Sequence, residues 1–571
     1  MSAPQPRVTL TGASLAYGQR TLWHDVDLTV SAGEFLAVLG PNGAGKTSLL
    51  SVLLGLTPLS AGSVTVNGHA PARGASHVGY IPQQSAVESD LPVRGRDLVR
   101  MGLDGHRFAG RGAGRSGRAR VDAALAAVGA ARYADAPVAL LSGGEQQRLR
   151  VAQALVADPA VLLCDEPLLS LDLANQRTVT ALIDAHRRRA GAAVLFVTHE
   201  INPVLPLVDR VLYLVAGRWS IGTPDEVFTT ESLSALYGAP VDVLRVRDRI
   251  VVVGAPDTGH SGDGHDHPEE PAAPPGRGLR VNLLPFYLSL PFVQHALLAA
   301  TLVAVAAGLI GPFVVVRGAA FAVHGTAELS FTGAAAGLLL GGHALAGALI
   351  GSLLVATAFA VLGDKARERD TAIGVVLGFG LGLGVYLLGL YHGFATEATN
   401  ILFGQIFGVS GPQLVLLGVL AVAVMAVIGW VYRPLLFASV DPRVAAARGV
   451  PTRLLGLAFL YVLAVTVTET AQVVGTLLVL SLAITPAAAA SRLSSSPLVV
   501  AGLSVLFALV AADGGLLASL PTNQRASVFI TAISFATYVL ARVAGPAVTR
   551  RARDRAAAAS ADPTLLPGVS G

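Results

Sequence analysis

Gly40-Pro41-Asn42-Gly43-Ala44-Gly45-Lys46-Thr47 follows the apolar run Phe35 to Leu39 and leads into Ser48-Leu49-Leu50. A strand, a glycine-rich turn and a helix in that order predict an α/β fold whose turn wraps a phosphate chain. The glycines let backbone N–H groups curl round anionic oxygens, and Lys46 reaches the terminal phosphates. The Thr47 hydroxyl, with Ser48 behind it, is placed for Mg2+. One such loop arises easily by chance, so its neighbours decide what it means.

Downstream, Leu141-Ser142-Gly143-Gly144-Glu145-Gln146-Gln147-Arg148 sets Ser142 and the amides of Gly143 and Gly144 at the start of a helix. A helix N-terminus preceded by glycines suits a phosphate group. Gln83 in Tyr80-Ile81-Pro82-Gln83, Asp165-Glu166 at the end of Val161 to Cys164, and His199 after Ala193 to Val197 complete an ordered set. On these residues the first half resembles the ATP-binding cassette ATPases throughout its length. The resemblance implies ATP and Mg2+ as cofactors and assigns roles. Asp165 holds the Mg2+ shell, Glu166 polarises the attacking water, and His199 contacts the γ-phosphate and Glu166. Gln83 senses the γ-phosphate and Mg2+ and passes that state on. Ser142, Gly143 and Gly144 engage ATP held by a second subunit, so a homodimer is expected. Tyr17, in Leu15-Ala16-Tyr17-Gly18, is either the aromatic that stacks on adenine or plain strand core. Asp172, in Ser170-Leu171-Asp172, either touches the partner cassette or caps the next helix.

At 571 residues the chain exceeds one ordinary domain, and 53% hydrophobic with 14% charged residues is too apolar for a wholly soluble protein. The apolar residues concentrate from about 283 to 545, which predicts a membrane-embedded half beside a water-exposed one. The net charge of +4 is small, and the arginines gather in short loops beside apolar runs. That pattern fits cytoplasmic flanks of a lipid membrane and argues against a nucleic-acid partner. Cys164 is the only cysteine, which excludes intrachain disulfides and cysteine metal clusters and predicts a buried strand residue. Met1 to Val30 carries Arg7, Arg20, His24, Asp25 and Asp27 without an apolar core, so no cleavable signal peptide is expected and the first half belongs in the cytosol.

The expected domains are an ATP-binding domain over 1–250, a flexible linker over 251–281, a transmembrane permease over 282–548 and a basic, disordered tail over 549–571. Two short strands between 241 and 253 close the first domain. The linker contains His260, His265 and His267 among acidic residues, which either bind a metal loosely or are incidental to a solvated tether.

In the second half about eight apolar runs, near 292–316, 318–341, 343–363, 372–391, 411–432, 454–467, 471–490 and 497–517, with 526–543 as a ninth, predict an all-α polytopic domain. The basic loops around Lys365, Arg433 to Arg453, and Arg492 should all be cytoplasmic. Three crossings ahead of Lys365 would put that loop outside, so one early run is expected to be re-entrant, interfacial or an unrecognised pair. Leu309 to Arg317, Ala372 to Val376, Leu402 to Ser410 and Val473 to Ala487 resemble the permeases of bacterial zinc, manganese and iron ABC importers. The resemblance implies that Phe437 to Arg453 is the coupling segment that seats in the cassette's Gln-loop groove.

Where that family carries an aspartate and, four residues on, a histidine, this chain reads His324-Gly325-Thr326-Ala327-Glu328. Residues four apart share a helix face, so His324 and Glu328 can present a nitrogen and a carboxylate to one transition-metal ion, or can bond to each other as helix packing. His343, His392, Glu397 and Glu469 fall near expected helix ends and suit a solvated role, and His295 suits packing in the first helix. Together these readings make the chain half of a homodimeric ATP-driven importer of zinc, manganese or iron in the cytoplasmic membrane, fed by an extracytoplasmic metal-binding protein. A half-exporter with a leading cassette and a non-transporting ATP-gated regulator stand as alternatives.

Overall fold

The computed structural model describes residues 6–18, 20–83, 93–109, 112–169, 171–237, 241–246, 249–253, 290–341, 344–362, 366–390, 404, 406–476, 479–522 and 524–561. In chain order the first half contains β1 (Pro6–Tyr17), β2 (Arg20–Ser31), β3 (Phe35–Leu39), α1 (Lys46–Leu53), β4 (Ala61–Val66), β5 (Val78–Ile81), α2 (Gly95–Asp104), α3 (Gly114–Ala127), α4 (Gly143–Leu155), β6 (Val161–Asp165), α5 (Leu173–Ala190), β7 (Ala193–Val197), β8 (Arg210–Val215), β9 (Arg218–Gly222), α6 (Pro224–Val227), α7 (Thr230–Tyr237), β10 (Asp242–Val246) and β11 (Arg249–Val253).

β3, β6 and β7 are apolar and buried at nearly every position because they lie inside a parallel sheet covered on both faces. That six-stranded sheet has the order β5-β6-β7-β3-β8-β9, with only β9 antiparallel. β1 and β2 instead alternate buried and exposed residues and form an antiparallel sheet in the order β2-β1-β4. Cys164 lies buried in β6, as its apolar neighbours predict. The β10–β11 hairpin ends the first half at Val253.

The second half is helical: α8 (Pro291–Val316), α9 (Ala320–Gly341), α10 (Ala344–Leu362), α11 (Ala366–Gly389), α12 (Gly411–Val440), α13 (Pro442–Ala447), α14 (Thr452–Val474), α15 (Val479–Ala483), α16 (Thr485–Leu493), α17 (Pro497–Ser519) and α18 (Ala526–Ala561). Among the described residues six helices are long and apolar enough to cross a membrane, namely α8, α10, α12, α14, α17 and the first part of α18. These six are fewer than the expected eight or nine runs because 377–389 and 479–493 are shorter apolar helices and α9, which also passes through the bundle, carries polar residues inside it.

The contacts of α8 give the early direction of the chain. Phe292 at the start of α8 meets Phe407, just ahead of α12, with ring centroids 6.2 Å apart. At the other end Phe313 meets Tyr432 at 5.5 Å, and Arg317 Nη1 donates to Ser439 Oγ at 3.3 Å. α8 and α12 therefore run in the same direction, both toward the cassette. Three successive passes, α8, α9 and α10, then bring the chain back to the cassette side before α11.

α9 and α10 approach closely enough that a Cβ on Gly347 would lie 2.2 Å from the Gly333 carbonyl oxygen. Small residues permit such contact in an apolar bundle, where backbone proximity and packing replace the hydrophobic effect. α14 also differs from expectation, because residues 468–470 lie between two expected runs, 454–467 and 471–490, yet the helix is continuous. Thr466, Thr468 and Thr470 instead donate to the carbonyls of Val462, Ala464 and Thr466, satisfying themselves within one continuous helix. Glu469 is consequently buried inside α14 rather than solvated at its end. The last helix runs on to Ala561, past the expected boundary at 548.

Candidate nucleotide site and its link to the helical bundle

The glycine-rich loop joins β3 to α1 at the carboxyl edge of the parallel sheet, where ligands bind in open α/β folds. Gly40 has φ 143, and a Cβ there would lie 2.0 Å from the Leu214 carbonyl oxygen, so no side chain fits between the loop and β8. Lys46 is buried, with Nζ donating to the carbonyls of Gly40 at 2.6 Å and Pro41 at 3.1 Å. Burial lowers its pKa, and the charges of Glu166 and Asp165 oppose that shift. Pro41, Asn42 and Gly43 are exposed, Ala44 and Gly45 are buried, and Ser48 is half-buried at the first turn of α1.

Thr47 Oγ1 donates to Asp165 Oδ1 at 3.1 Å, bringing together two residues 118 apart in sequence. The buried Asp165 also accepts from Tyr80 Oη at 3.4 Å. Burial raises the Asp165 pKa and the neighbouring Glu166 charge adds to this, while the Thr47 and Tyr80 hydrogen bonds and the charge of Arg443 pull the other way. Glu166 follows immediately with φ 47, a left-handed conformation that costs a non-glycine residue about 1–2 kcal/mol. Its amide donates to the Val197 carbonyl at 3.0 Å, which ties the turn to β7. Its carboxylate accepts from Gln83 Nε2 at 3.1 Å and lies 3.7 Å from His199 Nδ1. Local backbone strain thus aims Glu166 at two of the three residues that the sequence grouped with it.

Ser142 caps α4 in a reciprocal box. Its hydroxyl accepts from the Glu145 amide at 3.4 Å, and its own amide donates to Glu145 Oε2 at 3.0 Å. Ser142 and Gly143 are exposed and Gly144 is buried. Tyr17 ends β1 at 53% exposure, so it is not strand core. Asp172 caps α5, accepting from the Asn175 amide at 2.7 Å.

The cassette meets the bundle through Asp441 and Ala447, inside the segment Phe437 to Arg453 expected to couple them, and through Arg150, Asp104, Phe108, Trp430 and Arg433, which motif reading passed over. α13 packs beside β5, and Asp441 at its head accepts from the Val444 amide at 3.1 Å while forming a buried ion pair with Arg150 of α4. Arg433 pairs with Asp104 of α2 at 3.4 Å, the Ala109 amide donates to the Trp430 carbonyl at 3.0 Å, and the Phe108 ring lies tilted against Trp430 with centroids 5.5 Å apart. The Gly74 amide donates to the Ala447 carbonyl at 2.8 Å. Arg150 could have been noticed as an arginine among the apolar residues Leu149, Val151 and Ala152 on the inner side of the signature helix.

In the bundle, His324 and Glu328 lie one turn apart on α9, the first half-buried and the second 6% exposed. Among the described residues no group of three or more His, Cys, Asp or Glu gathers into a metal site. His295 is half-buried in the second turn of α8. His343, His392, Glu397 and the linker histidines lie outside the described residues.

The ABC transporter family profile matches residues 23–169, and that of the ABC 3 transport family matches residues 289–545. The chain is 35% identical over 241 residues to the zinc transport system ATP-binding protein TroB of Treponema pallidum, covering 42% of this chain and 90% of that protein. This chain belongs to the ABC transporters. It is likewise similar to the manganese transport system ATP-binding protein MntB of Bacillus subtilis, at 32% identity over 43% of this chain and 98% of that one. Among solved structures, PsaBC from Streptococcus pneumoniae in complex with Fab is 28% identical over 45% of this chain and 94% of that chain, with a TM-score of 0.42. An ABC transporter with cassette and permease in one polypeptide binds ATP, hydrolyses it in step with transport, and is a multi-pass membrane protein with its ATPase domain on the cytoplasmic side.

Proposed function

We propose that the chain is half of an ATP-driven importer that carries a divalent transition-metal ion across the cytoplasmic membrane. The observation that carries this reading is the union of a complete cassette with an ABC 3 permease, held together by α13 and the Arg150–Asp441 pair. The similarity of the cassette to zinc and manganese transport proteins supports a metal as cargo. The paired Thr47 hydroxyl and Asp165 carboxylate fit Mg2+, the hard-cation donor set that ATP phosphates share. When bound, Mg2+ neutralises charge developing on the phosphates.

Each residue then has work to do. Lys46 and the loop amides hold the phosphate chain, and Tyr17 offers its exposed ring to adenine. Glu166 takes the proton of the attacking water, with Gln83 and His199 fixing its carboxylate. The exposed N-terminus of α4, with Ser142, Gly143 and Gly144, engages ATP bound to a second copy, and Asp172 lies at the same contact. Two chains thus supply two cassettes and two bundles. An extracytoplasmic binding protein delivers the ion, and His324 with Glu328 receives it, the one-turn spacing giving one nitrogen and one oxygen donor.

Metal accumulation in cells producing the wild-type or the Lys46→Ala chain tests this reading. Accumulation that depends on Lys46 is expected. Equal accumulation would overturn it, and lower accumulation with the wild type would mark an exporter.

A further inference from the structure

Glu469 is 1% exposed, and neither oxygen of its carboxylate has a hydrogen-bond partner. Beyond it α14 breaks. Gly475 turns to φ 98, and the hydroxyl of Thr476, a residue 4% exposed, also lacks a partner. Thr466, Thr468 and Thr470 satisfy their hydroxyls on carbonyls one turn back, and the break denies Thr476 that solution. The break lies inside the bundle, where Val473 and Val474 belong to one buried cluster with Ala300, Ile406 and Leu417. An unpaired ionised carboxylate there costs several kcal/mol unless a cation offsets it. Interrupted helices at membrane depth are also where transporters coordinate ions.

We infer that Glu469, Thr476 and the carbonyls at the end of α14 form a second cation site, separate from His324 and Glu328. This rests on the import reading, since it adds a station to the same permease. Its donors are all oxygen, which suits a hard divalent cation such as Mn2+ better than Zn2+. The two sites are linked by hydroxyls: Thr468, beside Glu469, lies 2.8 Å from Ser352 Oγ and 3.5 Å from Ser330 Oγ, and Ser330 is on the helix that carries Glu328. Too few donors for a closed cage is what a transit site needs, because an ion must leave as well as enter.

The test is the unfolding temperature of the full chain in lipid nanodiscs without nucleotide, titrated with Mn2+ and separately with Zn2+. Wild type should be stabilised by Mn2+, and Glu469→Gln should need more Mn2+ by at least the roughly 10- to 100-fold that even outer-shell partners contribute. Thr476→Val should shift in the same direction by less, and Glu469→Asp should retain a weakened response. Without metal, Glu469→Gln should melt close to wild type, since the carboxyl it replaces has no hydrogen-bond partner to lose; a residue of purely structural importance would lower the melt and leave the Mn2+ response alone. An unchanged Mn2+ response in Glu469→Gln, or none in wild type, overturns the site. Lys46-dependent accumulation in cells reports separately on import: if it holds while the Mn2+ response of Glu469→Gln equals wild type, only this inference fails.

Discussion

Arg150 of α4 and Asp441 at the head of α13 form a buried ion pair that joins the signature helix to the coupling helix. The same aspartate caps α13 through the Val444 amide. Burial pushes the Arg150 pKa down to about 10, still well above neutrality, so the guanidinium stays charged and Asp441 offsets part of the cost of burying that charge. The N-terminus of α4, two turns from Arg150, is the end that in the proposed dimer engages ATP on a second copy. A displacement of that helix on ATP engagement therefore reaches α13 through one polar contact.

Arg150→Ala would leave Asp441 buried and unpaired, which costs about 3–5 kcal/mol in such settings. Metal uptake should collapse while ATP hydrolysis continues, and the exchange Arg150→Asp with Asp441→Arg should recover part of the uptake. Measuring both activities on one membrane preparation checks this. A parallel fall in hydrolysis and uptake would remove the pair from the coupling route.

Asp165 gives a pH signature. Its folded-state pKa is raised, first by burial, so the associated stability is fully present below the ordinary value of 3.8 and is lost as pH rises through the raised value. Asp165→Asn removes that loss. Nucleotide-free melting curves in the absence of Mg2+ should show the variant gaining on wild type as pH climbs from 3.8 and then holding a constant lead. A lead independent of pH across that range would contradict the assignment.

The cassette was legible because each motif is a local pattern tied to a strand end. Lys46, Asp165, Glu166 and His199 lie where buried parallel strands stop, and apolar runs mark those ends. The bundle was harder to read. Residues 468–470 fall between two expected runs although Thr466, Thr468 and Thr470 are each satisfied within α14, and that gap also put Glu469 at a wet end. The direction of α8 could not be read from hydropathy, which has no sign; it follows from Arg317 meeting Ser439 beside the coupling helix. The pair Arg150–Asp441 spans 291 residues, and no local pattern announces such a contact.

Tyr17 has an exposed ring, so its removal should barely affect folding. Tyr17→Ala should raise the KM for ATP by about fivefold at nearly constant kcat, the mark of lost uniform binding worth ~1 kcal/mol of stacking, and Tyr17→Trp should restore it. Steady-state hydrolysis kinetics decide the matter; an unchanged KM would remove Tyr17 from the adenine site.

Gly347→Ala drives a methyl group toward the Gly333 carbonyl, 2.2 Å away, and forces α9 and α10 apart. Overpacking of this kind costs about 1–3 kcal/mol. The variant should melt at lower temperature and lose metal uptake, since α9 carries His324 and Glu328, whereas ATP affinity should be unchanged. Wild-type stability would show that the two helices have room to separate.

Proteoliposomes containing the purified full chain, with ATP and Mg2+ sealed inside and radiolabelled Mn2+ or Zn2+ on its delivery protein outside, test the central claim that one chain is both motor and conduit. Ions should accumulate against their gradient with the wild type and not with Glu166→Gln, which retains ATP but loses the base for hydrolysis. Full hydrolysis without accumulation, or accumulation only when ATP is supplied from outside, would contradict it.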